Sequence, residues 1–256
     1  LDPNDAAAYH SRGAAYARKG DCDRALADYS QAVKLNPNDA AVYYKRGAVY
    51  ARKGDYDRAL ADYSRAVKLN PNLAAVYISR GNAYAGRGDY ERAVEDYRQA
   101  VKLDPNDAAA YHSRGAAYAD KEDCDRAVED YRQAIKLDPN DAAAYHSRGL
   151  AYVRKGDYDR ALADYSQAIK IDPNYAAAYV GRGNTYKNKG DCDRALADYS
   201  QAIKIDPNYA LAYNNRGVAY ADKGDYDRAA ADLEKAIQLN PNYQWAKDRL
   251  REIRGR

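Results

Sequence analysis

The chain has 256 residues, with 41 Lys and Arg against 38 Asp and Glu and a formal net charge of +3. This balance gives no argument for nucleic acid or an anionic membrane as a partner, and no apolar stretch approaches the ~18 residues of a membrane span. Phe and Met are absent while Tyr occurs 28 times, a bias that indicates either recent copying of one unit or consensus-style design.

A period of 34 residues runs through the chain. Prolines stand at positions 3, 37, 71, 105, 139, 173, 207 and 241, and segments 157–176 and 191–210 differ at one residue in twenty. A period of this length is typical of repeat arrays, in which each unit stacks on its neighbours to bury its apolar face. We predict seven tandem units in residues 1–241, at about 6–39, 40–73, 74–107, 108–141, 142–175, 176–209 and 210–243.

The first unit predicts two helices joined by a tight turn. Apolar residues follow a helical period over about 6–19 and again over about 22–35. Between these segments, Gly20 can adopt positive φ and Asp21 can cap the second helix. Pro37 then ends the unit and fits the first turn of the next helix.

Later units repeat this order, with one departure at the turn. Glu122 stands where the other units carry the turn glycine. If the turn requires positive φ, a residue with a side chain is strained there. We therefore predict a locally strained or altered turn in the fourth unit.

Residues 242–256 predict a C-terminal capping helix. Ala246, Leu250 and Ile253 share one face, while Lys247, Arg249, Arg251 and Arg254 are expected in water. The chain starts without Met near the end of a unit, so we expect sequence upstream. Since no matching cap precedes the first unit, we expect an apolar end that permits end-to-end self-association.

The pattern Tyr9-x-x-Arg12-Gly13-x-x-Tyr16, followed by Ala25-x-x-x-Tyr29 and Pro37, resembles the tetratricopeptide repeat. The resemblance covers residues 1–241 and implies an all-α, right-handed α–α superhelical solenoid. In such a fold the first helices line a concave face and the second helices a convex face. The implied function is a non-catalytic scaffold that binds a peptide or protein segment in the concave groove, with no cofactor.

Two alternatives to that function stay open. One is a designed or recently amplified array that acts as a spacer or self-assembling module without a specific ligand. The other is the regulatory arm of a larger enzyme.

One position departs from the family pattern, because arginine replaces leucine before glycine in every unit. A guanidinium cannot stay unpaired in a core, and the recurring aspartates of the second helices are the expected partners. An anion-binding stripe is the competing interpretation. The predicted structural ladder comprises Arg12, Arg46, Arg80, Arg114, Arg148, Arg182 and Arg216.

The groove is predicted from the remaining face of the first helices. Its ligand-contacting residues are His10, Tyr44, Ile78, Asn82, His112, His146, Leu150, Val180, Asn184 and Asn214. The asparagines can bond a peptide backbone, and the groove is mixed in charge, with Arg18, Arg52 and Arg154 against Asp120 and Asp222. The Lys/Asn/Arg clamp of family members that bind acidic C-termini is not expected, because the matching positions are mostly Ala, as at Ala7 and Ala41. The tyrosines at 175, 209 and 243 are expected to cover the joints between units.

The histidines and cysteines indicate neither catalysis nor a metal site. In the recurring segment AYHSRG, Ser follows His directly, so on a helix the two side chains do not face each other. His112 and His146 lie in adjacent units without matching Cys or Glu ligands.

Cys22, Cys124 and Cys192 lie two or three units apart, too far for a disulfide. Free thiols fit a cytoplasmic location. No Gly-rich phosphate loop is present, so we expect no enzyme activity and no catalytic residue.

Overall fold

The computed structural model describes residues 2–255, which form fifteen α-helices and no strand. The helices are α1 (Ala6–Arg18), α2 (Cys22–Leu35), α3 (Ala40–Arg52), α4 (Tyr56–Leu69), α5 (Ala74–Gly86), α6 (Tyr90–Leu103), α7 (Ala108–Asp120), α8 (Cys124–Leu137), α9 (Ala142–Arg154), α10 (Tyr158–Ile171), α11 (Ala176–Asn188), α12 (Cys192–Ile205), α13 (Ala210–Asp222), α14 (Tyr226–Leu239) and α15 (Gln244–Arg254). Consecutive helices pack in pairs as helix-turn-helix repeats, which confirms the predicted all-α repeat fold. Within the described part of the chain, no helix combines the length and apolar character needed to cross a membrane.

Aspartates fix the starts of many helices. The Asp5 carboxylate accepts hydrogen bonds from the backbone N–H groups of Ala7 and Ala8 at the start of α1. At the start of α2, Asp21 accepts from the Arg24 backbone N–H and also pairs with the Arg24 guanidinium. These acceptors satisfy N–H groups that have no partner within the helix.

The turn between the two helices of a repeat has the predicted left-handed residue. The six turn glycines have φ between 76° and 82°, and Glu122 adopts the same region with φ 62°. An L-residue with a side chain is strained there. The predicted strain in the fourth repeat is thus confirmed.

A tyrosine and a glycine bring the two helices of a repeat together. In the first repeat Tyr29 is buried, and a Cβ on Gly13 would lie 3.0 Å from its ring carbons. In the third repeat the corresponding distance, from Gly81 to Tyr97, is 2.7 Å. The missing side chain therefore lets the ring pack directly on the backbone of the first helix.

The repeats group into two larger compact parts of the chain, each called a unit from here on, while the 34-residue elements are called repeats. The first unit is built from α1–α8 up to Leu137, and the second from α9–α15 beginning at Asp138. In the first unit, Val42 and Val49 of α3 pack against the buried Tyr29 of the preceding repeat. In the second, Ala212 of α13 packs against Tyr199 in the same way. Each repeat joint inside a unit is therefore a continuation of the core.

Helix α15 closes the second unit. Ala246 and Leu250 are buried against Leu233 of α14, and Ile253 packs at the edge of this cluster, as the sequence predicts. Arg249 departs from its predicted place in water. Its guanidinium lies 3.6 Å from the Asp222 carboxylate of α13, because its position on the helix faces the preceding first helix.

Candidate functional site

The arginine before each glycine forms a two-pronged ion pair. Its Nε and one terminal nitrogen donate to the two carboxylate oxygens of the aspartate sixteen residues later, at 2.7–2.9 Å. The pairs are Arg12–Asp28, Arg46–Asp62, Arg80–Asp96, Arg114–Asp130, Arg148–Asp164, Arg182–Asp198 and Arg216–Asp232. All seven aspartates are buried, so the pairing predicted from the sequence is present in every repeat.

The same guanidinium groups make further contacts inside the fold. The second terminal nitrogen of Arg46 donates to Ser30 Oγ of the preceding repeat at 3.3 Å, and that of Arg216 donates to Ser200 Oγ at 3.1 Å. Each guanidinium also lies 5.4–5.7 Å from the ring of the tyrosine three residues earlier. The hydrogen bonds to Asp130 hold the pKa of Arg114 above its ordinary value. These contacts engage the guanidinium groups within the fold.

Four of the predicted groove side chains lie against core tyrosines. Ring centroids are 5.9 Å apart for His10 and Tyr29, 6.0 Å for Tyr44 and Tyr63, 5.4 Å for His112 and Tyr131, and 5.5 Å for His146 and Tyr165. All four first-helix residues are half-buried. Each of these side chains is therefore partly in contact with the core and partly accessible on the first-helix face.

Two of the predicted groove asparagines accept hydrogen bonds from core tyrosines. The Tyr97 hydroxyl donates to Asn82 Oδ1 at 2.6 Å, and the Tyr199 hydroxyl donates to Asn184 Oδ1 at 2.8 Å. A buried phenol needs such a partner. Ile78 is half-buried and Leu150 is 43% exposed, so Leu150 is the most open apolar residue of the predicted set.

Val180 and Asn214 are buried, which corrects the expectation that their side chains are exposed to a ligand in the groove. Val180 is 3% exposed and belongs to a core cluster on which Tyr209 packs. Asn214 is 4% exposed. At the equivalent position of the fifth repeat, the ring of Tyr175 lies against His146 at 5.2 Å between ring centroids.

The first unit contains an open depression of about 650 Å³ between α1 and α3, termed here the α1–α3 depression. It is lined by Ser11, Ala14, Ala17, Arg18, Tyr29, Lys45 and Arg52. Lys45 was not among the residues predicted to line the groove. The signal was in the spacing, because Lys45, Ala48 and Arg52 share a face at i, i+3 and i+7.

The second unit contains an open depression of about 460 Å³, termed here the α9–α15 depression. It is lined by Val153, Asn184, Lys187, Asn188, Tyr199, Asn214, Asn215, Val218, Tyr243 and Trp245. Trp245 is 51% exposed. The depression therefore has one large aromatic side chain that is accessible from outside.

A chain of amide hydrogen bonds crosses the α9–α15 depression. Asn214 Nδ2 donates to Asn215 Oδ1 at 3.0 Å, and Asn215 Nδ2 donates to Asn184 Oδ1 at 2.8 Å. The chain ends at Asn214 Oδ1, a buried oxygen without a hydrogen-bond partner among the described residues. Such an oxygen is an acceptor whose desolvation is uncompensated.

The remaining reactive side chains lie apart. Cys22, Cys124 and Cys192 are free thiols. Within residues 2–255, no three His, Cys, Asp or Glu residues are grouped as metal ligands would be. The chemistry that the two depressions offer is therefore recognition by charge, amide hydrogen bonds and aromatic contact.

Comparison with protein families matches the repeats found in the structure. A family model described as TPR repeat matches residues 15–54, 81–122, 115–156, 149–190 and 183–224. A second, described as tetratricopeptide repeat, matches residues 40–73 and 210–243. A comparison with curated proteins gave no match.

Solved structures show the same fold. A tetratricopeptide repeat protein from Parabacteroides merdae ATCC 43184 is 23% identical, with a TM-score of 0.78 over 97% of this chain and 98% of that one. MamA from Desulfovibrio magneticus RS-1 is 26% identical, with a TM-score of 0.64 over 68% and 98% of the two chains. YrrB, described as a TPR protein with an unusual peptide-binding site, is 28% identical, with a TM-score of 0.56 over 73% and 96%.

The periodic helix pairs, the turn glycines and the family matches agree over most of the chain. The departure at the arginine position is accommodated by a partner aspartate in every repeat. The chain therefore belongs to the tetratricopeptide repeat family of protein-interaction scaffolds.

Proposed function

We propose that this protein is a non-catalytic scaffold that binds a peptide segment of a partner protein on the face of its first helices. The observation that carries the proposal is the α9–α15 depression, whose lining combines the exposed Trp245 with the accessible amides of Asn184, Asn188 and Asn215. Tryptophan is enriched among residues that dominate binding energy. Asparagine amides can donate to and accept from a peptide main chain.

Differences among the repeats support a binding role over a plain spacer. Six of seven repeats keep tyrosine at the core position of Tyr29, with Leu233 in the seventh. The groove position of His10 instead holds His, Tyr, Ile, Val or Asn in different repeats. The packing position is therefore kept while this first-helix position varies, as expected where that face contacts a ligand.

The peptide-binding site described for YrrB offers a precedent within the family. The three free thiols are consistent with action in a reducing compartment such as the cytoplasm.

Self-association is a second candidate function, favoured by one observation. The Arg12 side chain is 44% exposed, whereas Arg46, Arg80 and Arg114 in the same unit are 16–17% exposed. The ion pair of the first repeat is therefore less covered than those of the later repeats, and a second copy of the chain or a further repeat could pack on it.

The test is selection from a random peptide library on the immobilised protein, followed by titration of enriched peptides by fluorescence anisotropy. We expect Trp245→Ala combined with Asn215→Ala to weaken binding at least about tenfold, the scale of one hot-spot residue. Leu103→Ala, which removes an exposed apolar side chain from α6, is the matched control and should bind normally.

Failure to enrich any peptide, or equal binding by the double variant and the control, would contradict the proposal. Sedimentation velocity on the same samples, over a range of concentrations, separates peptide binding from self-association. A concentration-dependent dimer without peptide enrichment would support the second candidate instead.

A further inference from the structure

The α1–α3 depression is cationic, in contrast to the amide-lined α9–α15 depression. Arg18, Lys45 and Arg52 stand around it, and no acidic side chain lines it. Its floor is formed by Ala14, Ala17 and the buried ring of Tyr29. The depression therefore combines small apolar residues with three exposed positive charges.

None of these three charges forms an ion pair with a described residue. The ion pairs found among residues 2–255 do not include Arg18, Lys45 or Arg52, although most other arginines of the chain are paired. Arg52 donates one hydrogen bond, to the Ala17 carbonyl oxygen at 2.9 Å. This bond holds the guanidinium at the edge of the depression and leaves other donors available.

The charges also reach the floor of the depression. Burial raises the pKa of Tyr29, and the positive charges of Arg52 and Arg18 act against that rise. Arg18, Arg52 and Tyr29 also line the same depression.

The cationic character is specific to this place and is not a copied feature. The position of Lys45 is serine in the three other repeats of the first unit, at Ser11, Ser79 and Ser113. The position shared by Arg18 and Arg52 becomes Gly86 and then Asp120. The equivalent place between α5 and α7 therefore carries no cation.

We infer that the α1–α3 depression binds an acidic segment of a partner protein, through Asp or Glu carboxylates held by Arg18, Lys45 and Arg52. The inference rests on the proposed function and specifies the chemistry of the ligand. Guanidinium groups bind carboxylates with two parallel hydrogen bonds, and a lysine adds a third positive charge. The three residues stand at repeat positions other than those of Ala7 and Ala41, so this site differs from the clamp that the sequence lacks.

A protein ligand fits the surface better than a nucleic acid. A nucleic acid backbone requires a longer cationic track, whereas here the charge is confined to α1 and α3. Small apolar residues between the cations suit the short side chains of an extended peptide.

The test uses the full chain. Each replacing residue already occurs at the equivalent position of another repeat, so we expect the variant to fold. The groove variant combines Arg18→Asn, Lys45→Ser and Arg52→Asn, since Asn188 and Ser11 occupy these positions in other repeats. The matched control combines Lys34→Gln, Lys68→Gln and Lys102→Gln, which removes three exposed charges from second helices. Circular dichroism establishes that both variants are folded.

The probe is a fluorescein-labelled peptide rich in Glu and Asp, compared with its Gln and Asn counterpart. We expect the acidic peptide to bind at least about tenfold more tightly than its amide counterpart, a ratio that three partly exposed ion pairs can supply. The groove variant should lose this preference, the control should keep it, and added salt should weaken it.

Equal affinity of the two peptides for the wild type would overturn the inference, as would unchanged preference in the groove variant. Tighter binding of a single-stranded oligonucleotide than of the acidic peptide would also overturn it. Library peptides that bind at Trp245 without acidic residues would show that the proposed function stands while this inference fails. The absence of any bound peptide would instead count against the proposed function.

Discussion

At the scale of single residues, the arginine before each glycine and its aspartate form a unit that is stable only as a pair. Asp130 is 5% exposed, and both of its oxygens accept hydrogen bonds from Arg114. A buried carboxylate without its partner is strongly unfavourable, whereas replacing both members of a buried pair can be neutral. Leucine at the arginine position therefore requires a different residue in place of the aspartate.

Arg114→Leu should lower the free energy of unfolding by about 3 kcal/mol, because it leaves Asp130 charged, buried and unpaired. Adding Asp130→Ala should recover part of the loss, since the orphaned charge is then removed. Urea denaturation followed by circular dichroism measures both values. A single variant as stable as the wild type that loses affinity for an acidic ligand would show that the arginine serves binding.

At the scale of elements, the turn between α7 and α8 holds the only residue other than glycine that adopts positive φ within the described part of the chain. Glu122 has φ 62°, a conformation that glycine adopts in the turns at Gly20, Gly54, Gly88, Gly156, Gly190 and Gly224. The helices on both sides hold the turn in this geometry. The strain is therefore confined to one residue.

Glu122→Gly should raise the free energy of unfolding by about 0.5–1 kcal/mol, since relief of the left-handed strain exceeds the entropy that glycine adds to the unfolded chain. Lys121→Gly is the matched control, because Lys121 has φ −83° and gains nothing from glycine. It should lower stability. A decrease for Glu122→Gly, measured by the same urea denaturation, would contradict this account.

Elements were predictable where one residue type recurs at a fixed spacing. The helix pairs, the turns and the Arg114–Asp130 pairing all follow from the 34-residue period and helical periodicity. The first-helix face was less predictable. The groove prediction took residues at i, i+4 and i+8 of each first helix, which include His10 and Arg18. Lys45 lies in the neighbouring row of the same helix face and was therefore left out. Val180 was misplaced because its burial depends on Tyr209, a residue that lies in the next turn.

At the scale of the whole molecule, the caps of the second helices recur in both units and link stability to pH. Hydrogen bonds from the backbone and side chain of the arginine three residues later lower the pKa of five aspartates: Asp21, Asp55, Asp89, Asp191 and Asp225. Since the folded state holds these carboxyls at a lower pKa than the unfolded chain, their ionised form favours folding. The contribution is complete above the unfolded value of about 3.9 and is lost as the pH falls through the folded values.

We therefore expect the melting temperature to be nearly constant above about pH 5 and to fall below about pH 4. Thermal melts followed by circular dichroism over this range provide the measurement. A variant with Asn at all five positions keeps a capping side chain that does not titrate, so its melting temperature should fall less steeply. If the melting temperatures of the variant and the wild type fall equally steeply with pH, these aspartate caps do not cause the acid sensitivity.

The Arg–Asp pair and the Gly–Tyr contact of a repeat lie within a single stretch of 34 residues, and the serine contact reaches only the adjacent repeat. An unequal crossover between two near-identical stretches of the gene, within the part that encodes one unit, would add or delete a whole repeat. Each new junction would then join two repeats whose contacting surfaces match those of existing neighbours. Such a gene can change the length of its product in one genetic event without an intermediate that misfolds. Variation in copy number is therefore the form of divergence that this architecture tolerates most readily.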